Sequence, residues 1–323
     1  MNSCDLAAIV DAERRLLPQR ALAVPSMLSY EERALLHWAA REGCGAAGQV
    51  IDAGCFLGGS TLSLATGLSR SAKDPEDAHR VHSFDLFVVG GERERVYFES
   101  DFPFEVGADI RPLFEANVAP VRSLVEVHHG DVLNTTWPGE PVATLFIDIA
   151  KSWSTNDHVV RQFLPALVPG SVVIQQDLVH WGHPWCALTM ESLMDHVEYL
   201  GHVSYSSAVY RVRHAIAVDD LPTNLLDRLS AAEALRLVDR CAERVGEPFA
   251  GHLRLLGATA LMCFGDYAGA RARVSEVRDA YDDDVVPYIS EGFALAQIID
   301  EAERKSSAGD RLDAHGRPRD DER

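Results

Sequence analysis

The sequence predicts an α/β protein: a mixed seven-stranded sheet with a terminal antiparallel hairpin, followed by an all-helical appendage. Three observations predict it. Five short apolar runs, "QVIDAG", "RVHSFDLF", "SLVEVHHGD", "ATLFIDIA" and "GSVVIQQD", recur between residues 49 and 177 with helical stretches among them, and strands alternating with helices build a parallel sheet. Two further runs, "GHVSYSS" and "VYRVRHAIAV", follow with no long helix between them, which adds an antiparallel pair to the sheet. After Asp219-Asp220-Leu221-Pro222 the pattern turns wholly helical.

The elements follow in chain order. Residues 1–48 read as a helical segment. In "LSYEERALLHWAAREG", Ser29 and Glu32 form a capping box, Leu35, Leu36, Trp38 and Ala39 keep helical spacing, and Gly43 and Gly45 stop the run. Residues 49–220 carry the sheet, with helices predicted over "STLSLATGLSRSA", "DIRPLFEANVAPV", "STNDHVVRQFLPALVPG" and "PWCALTMESLMDHVEYL". Residues 221–305 read as helices: one capped by Ser230 and Glu233 and ended by Gly246, one ended by Gly265, one capped by Asp266, and "PYISEGFALAQIIDEAERK". "GDYAGARARV" is reminiscent of a tetratricopeptide hairpin, but one such unit cannot stack into a solenoid. The appendage is therefore expected to cover the main domain or to make a homodimer. The polar residues 306–323 are expected to be disordered.

Composition narrows the partners. A net charge of −19 argues against a nucleic-acid binder and an anionic membrane surface. Cys4, Cys44, Cys55, Cys186, Cys241 and Cys263 include no CxxC pair and read as reduced thiols rather than disulfides or a zinc site. The N-terminus has no apolar signal core, and no run approaches the roughly 18 residues of a membrane span. A cytoplasmic location is expected.

The chemistry centres on "VIDAGCFLGGST". A phosphate-binding loop would need a lysine before the Ser60-Thr61 pair, and none is present. A dinucleotide fingerprint would need glycine where Phe56 stands. The spacing Asp52-x-Gly54-x-x-x-Gly58 suits S-adenosylmethionine, with no pyrophosphate to accommodate. Ser60 and Thr61 offer hydroxyls and amides at a helix start to its carboxylate. The other strand tips supply acids in order: Asp85 for the ribose hydroxyls, Asp131 with Val132 for the adenine, then Asp148 and Asp177.

On these motifs, residues 50–216 resemble the class I S-adenosylmethionine-dependent methyltransferases, a Rossmann-like fold. Within that group they resemble the catechol-type and macrocin (TylF-like) small-molecule O-methyltransferases. The resemblance covers about half of the chain and none of the C-terminal helices. It implies Asp148, Gln176 and Asp177 as Mg²⁺ ligands and Lys151 as general base. Gln176 departs from the family's acid, and a neutral amide weakens a magnesium site. Without a metal, Lys151 or His180 would act alone. Two features stay open. Asp177, His180 and His183, at three-residue steps, also read as a metal cluster, and Trp181 and Trp185 as either acceptor-pocket walls or loop packing. The long stretch 88–109, with Gly90, Gly91, Tyr97, Phe98, Phe102 and Phe104, reads as a lid or a packed insertion.

The expected function is methylation of a small-molecule acceptor, a sugar, macrolide or other secondary metabolite. Two alternatives remain: transfer of the aminocarboxypropyl group or cyclisation, and a non-catalytic cofactor-fold protein that recruits a partner through its helices.

Overall fold

The computed structural model describes residues 5–43, 48–71, 79–91, 105–204, 206–281 and 290–307. Cys4, Cys44, Gly45, the aromatics Tyr97, Phe98, Phe102 and Phe104 of the expected lid, and the tail from residue 308 lie outside the described residues.

Seven strands form one sheet: β1 (Gln49–Ala53), β2 (Val81–Asp85), β3 (Val125–His129), β4 (Val142–Ile147), β5 (Leu167–Gln175), β6 (Val197–Val203) and β7 (Ser207–Val212). Their order is β3-β2-β1-β4-β5-β7-β6. The first five are parallel, and β7 inserts antiparallel between β5 and β6. The apolar, β-branched β4 is buried along its whole length between β1 and β5, as a central parallel strand must be. The chain reverses at β1: strands to one side are reached through β2, strands to the other through β4. Ligands of open α/β sheets bind at such a switch point, beyond the strands' carboxyl ends.

The N-terminal helices are α1 (Leu6–Arg14), α2 (Gln19–Ala23) and α3 (Tyr30–Trp38). The capping box forms: Glu32 N–H donates to Ser29 Oγ (3.1 Å) and Ser29 N–H to Glu32 Oε2 (2.8 Å). Helix α4 (Gly59–Leu68) is buried nearly all round. A Cβ on Gly67 would lie 2.2 Å from the His37 carbonyl oxygen, so glycine there lets α4 and α3 close up. Helix α5 (Arg111–Val118) precedes β3, α6 (Trp153–Phe163) lies between β4 and β5, and α7 (Pro184–Ser192) follows β5. The expected helix over residues 184–200 is thus shorter, because "VEYL" belongs to β6. Tyr199 there pairs with Tyr210 of β7, and cross-strand pairing overrides the helical pattern. The last expected strand also ends early, at Val212.

The chain divides into two compact units. The first comprises residues 1–149, 161–176 and 196–218, and the second residues 150–160, 177–195 and 219–323. These borders differ from the expected breaks after residues 48 and 220: the N-terminal helices belong with the sheet, and two segments within 49–220 belong with the C-terminal helices. The second unit adds α8 (Leu225–Arg228), α9 (Ala231–Val245), α10 (Ala250–Cys263), α11 (Tyr267–Ala280) and α12 (Ser290–Ser307). The caps at Ser230, Glu233, Gly246 and Asp266 form as expected. Each of α9 to α12 packs against the next, around Leu255, Leu261, Val274, Val277, Leu295 and Ile299. Cys55 and Cys241 are buried thiols. Among the described residues no helix is long and apolar enough to cross a membrane.

Candidate active site

The glycine loop leaves β1 and enters α4 within the first unit. Gly54 has φ +101°, and a Cβ there would lie 2.8 Å from the carbonyl carbon of Asp148. Asp148 N–H donates to Ala53 O at 2.7 Å, so the tips of β1 and β4 are drawn together at a point only glycine fits. Gly58, at φ +90°, is the N-cap of α4 and offers no side-chain acceptor. The first-turn N–H groups therefore lack the cap that most helices provide, which suits an incoming carboxylate.

Asp52 is fully buried. Its Oδ2 accepts from Ser60 Oγ (3.0 Å) and Thr61 Oγ1 (2.5 Å). These hydroxyls, expected to meet the ligand, instead turn inward and tie α4 to β1, and the first-turn amides of α4 stay without a side-chain cap. Thr61 also lies 3.0 Å from Ser83 Oγ, and with its own proton on Asp52 it accepts there. Asp52 Oδ1 is buried with no hydrogen-bond partner among the described residues. Burial pushes the Asp52 carboxyl up to about 7; the two hydroxyls oppose this, and the nearby charges of Asp148 and Asp85 add to it.

Asp85, at the tip of β2, accepts from Phe56 N–H and Phe87 N–H, each at 2.7 Å and each on its own oxygen. Burial raises this carboxyl too, while the backbone donors hold it back. Phe56 has φ +46°, a left-handed conformation that costs a bulky residue energy. Its N–H bond to Asp85 offsets that cost and fixes the loop. Gly130 N–H donates to Asp85 O at 3.0 Å, which brings the β3 tip alongside. There Asp131 is exposed and caps a short turn, accepting from Leu133 N–H at 3.0 Å, while Val132 is buried. The first unit thus gathers Asp52, Asp85 and Asp148 at neighbouring strand tips, close enough for the charges of the other two to raise Asp52.

Two of the residues expected to hold Mg²⁺, Gln176 and Asp177, have other partners. Gln176 is buried, and its Oε1 accepts from Ser207 Oγ, which also lies 2.9 Å from Glu32 Oε1. An acid at position 176 would set a second carboxylate against Glu32 through one hydroxyl, whereas the amide needs no counter-charge. Asp177 is engaged in the second unit by Lys151, whose Nζ donates to Oδ2 at 2.5 Å. The Gln176 oxygen is thus turned inward and the Asp177 charge is met by an ammonium, so neither is presented to a hard dication.

The second unit carries its own chain of polar groups. His180 N–H donates to Asp177 O and His183 N–H to His180 O, both at 3.0 Å. Two successive turns place the three side chains together, a geometry the three-residue spacing hinted at. Asp177 has φ +61°. His183 Nδ1 lies 3.4 Å from Asp177 Oδ2. Burial alone would raise the Asp177 carboxyl, but the Lys151 ammonium and the His183 ring together hold it well below the usual carboxylate range. His180 Nδ1 accepts from Gly182 N–H at 3.1 Å. The rings form a stack: Trp181 on His180 (5.8 Å), His180 on His183 (4.3 Å) and His183 on Trp185 (5.2 Å). Trp185 Nε1 donates to Ala150 O at 2.6 Å, so Trp185 packs its loop, while the partly buried Trp181 packs against the C-terminal helical core. The Asp177–His183 relation was missed as an acid–imidazole pair; only the turns reveal it.

A five-stranded parallel sheet switching at β1, with an antiparallel seventh strand between the fifth and sixth, decides the fold. It is the class I methyltransferase fold. No family model matches the chain. No curated protein is similar to it in sequence. Similar solved structures include CalS11, a TDP-rhamnose 3′-O-methyltransferase of calicheamicin biosynthesis (17% identity, TM-score 0.42, covering 64% of this chain and 90% of that one). They also include the O-methyltransferase NovP (13%, 0.47, 65% and 100%) and cofactor-bound Rv0187 from MTB (18%, 0.41, 65% and 91%). The strand order, rather than this distant likeness, carries the assignment.

Proposed function

We propose that the chain is an S-adenosylmethionine-dependent methyltransferase that methylates a hydroxyl of a small molecule without Mg²⁺. One observation carries this reading: three carboxylates converge at neighbouring strand tips around a left-handed glycine loop that opens an uncapped helix. The unpartnered Asp52 Oδ1 supports an incoming ammonium, the α4 amides a carboxylate, Asp85 the ribose hydroxyls, and Val132 with Asp131 the adenine. When bound, the cofactor supplies a sulfonium-activated methyl group.

The chain must then orient an acceptor and take up its proton. Asp148, Lys151 and His180 are the groups the sequence offers. Lys151 has its charge paired with Asp177, and the Nδ1 of His180 is already occupied. We assign the role of proton acceptor to His183, whose Nδ1 lies 3.4 Å from Asp177 Oδ2, with Asp177 as its positioning residue. Gln176 has a structural partner in Ser207, which removes the motive for an aminocarboxypropyl or cyclisation reaction. The calicheamicin methyltransferase among the similar structures favours a sugar-bearing or other secondary-metabolite acceptor. A cytoplasmic homodimer completes the reading.

Thermal melting with S-adenosylmethionine and S-adenosylhomocysteine tests it. Both ligands raise the melting temperature, by an amount that grows with concentration. No shift at millimolar ligand overturns the proposal.

A further inference from the structure

We infer that His82, Glu126 and His128 form a binding site for a zinc-class divalent cation on the outer strand pair of the sheet. His82 of β2 pairs with Glu126 of β3, and Phe84 with His128. The two-residue strand period therefore sets all three side chains on one face. His82 Nδ1 lies 3.0 Å from His128 Nε2. The two Glu126 oxygens face these nitrogens, Oε2 at 3.9 Å from His82 and Oε1 at 3.9 Å from His128. Tetrahedral zinc with bonds of about 2.0–2.1 Å sets its ligands roughly 3.3 Å apart, so the two nitrogens are already near that spacing, and the half-exposed Glu126 side chain must swing inward by about 0.6 Å or more to bring one oxygen to both. Among the described residues this is the one group of three such ligand atoms within 4.8 Å.

The surroundings prepare the nitrogens. Arg80 N–H donates to Gln49 Oε1 at 2.8 Å, which fixes that atom as the carbonyl oxygen. His82 Nε2, 3.3 Å from the same oxygen, must then carry its proton, and Nδ1 presents a lone pair toward Glu126 and His128. An outer acceptor on the distal imidazole nitrogen is the usual support of a metal-bound histidine. Gln49 is itself anchored, donating from Nε2 to Glu140 at 2.9 Å. His128 stacks on Phe84 at 4.2 Å, and His82 meets the Trp137 edge at 4.9 Å, so neither ring is free to turn away. Without the ion, His128 Nε2–H donates to His82. On binding, that proton moves to His128 Nδ1, with no net release.

Two imidazoles and one carboxylate select zinc-like ions over magnesium or calcium. Glu126 is half-exposed and His128 about one-third exposed, so water can reach the ion and fill its fourth position. The bound ion would pin β3, an edge strand, to β2, three residues before Asp85.

The test strips the full chain with EDTA and titrates it with zinc chloride alone, reading bound zinc and melting temperature. The wild type takes one zinc at micromolar concentration through these ligands and melts higher. Glu126→Gln and His128→Gln, both at accessible positions, lose that zinc and its shift while melting like the metal-free wild type. Gln49→Ala binds about 10- to 100-fold more weakly, and His183→Gln binds as the wild type does. Cobalt(II) in the wild type gives the intense visible bands of a four-coordinate site, a readout that holds even if a ligand variant folds poorly. Undiminished binding in both ligand variants, loss in His183→Gln instead, or a wild type that takes no zinc overturns the inference.

Discussion

Asp52 and Thr61 meet across the glycine loop, the threonine hydroxyl donating to the carboxylate at 2.5 Å with both side chains fully buried. This bond, with that of Ser60, fixes the start of α4 against β1. Thr61→Val leaves a buried carboxylate short of a donor and costs about 1–3 kcal/mol. Urea denaturation reads the loss, and a midpoint unchanged from wild type would refute the role.

Asp52 also sets a pH dependence. Its carboxyl titrates at 3.8 when unperturbed and at about 7 in the fold. The native state keeps a proton that the unfolded chain releases across that window, so this group's contribution to stability is full below about pH 4 and declines toward pH 7. Asp52→Asn removes that part of the slope. Unfolding midpoints at intervals from pH 4 to 8 measure it, and equal slopes in both proteins would count against the buried-acid account.

Gly54 cannot take a side chain. Gly54→Ala places a Cβ at φ +101° against the Asp148 backbone and costs on the order of 2 kcal/mol or more. S-adenosylhomocysteine affinity falls with it, as calorimetry on the folded fraction would report.

Asp85 separates binding from folding. Asp85→Asn retains an acceptor for one of the two backbone N–H groups but loses the charge that the proposed function offers to the ribose. Cofactor affinity drops about 10- to 100-fold, as expected for bonds to a charged group. A dissociation constant within a factor of two of wild type removes Asp85 from the site.

The proposed function gives His183, rather than the Lys151 that the family resemblance implies, the role of general base. On an active acceptor, His183→Gln lowers turnover by about 10²–10⁴-fold and removes the acidic limb of the rate–pH profile. Lys151→Met changes it by less than tenfold. The reverse ranking restores lysine as the base.

The acids at the strand tips were legible in the sequence because each follows an apolar run that must become a buried strand. Asp52, Asp85, Asp131, Asp148 and Asp177 all lie at or just beyond the ends of strands. The helix caps at Ser29, Ser230 and Asp266 were legible for the same local reason: donor and acceptor are three residues apart. The "VEYL" stretch misled because its helical spacing was outweighed by pairing with β7. The His82, Glu126 and His128 group escaped notice because its members come from two strands whose register no local pattern states.

By itself the sequence determined the alternation of strands and helices, the reversed hairpin and the residue types at each strand tip. These depend on periods of two and of 3.6 residues, which act over a few neighbours. Only the tertiary structure decided which partner each polar group meets: Ser60 and Thr61 turn to Asp52, Lys151 to Asp177, and Ser207 reaches Glu32, 175 residues away along the chain. A hydrogen bond is set by distance in space, so the chemistry of a buried carboxylate is fixed only when the whole chain has closed around it.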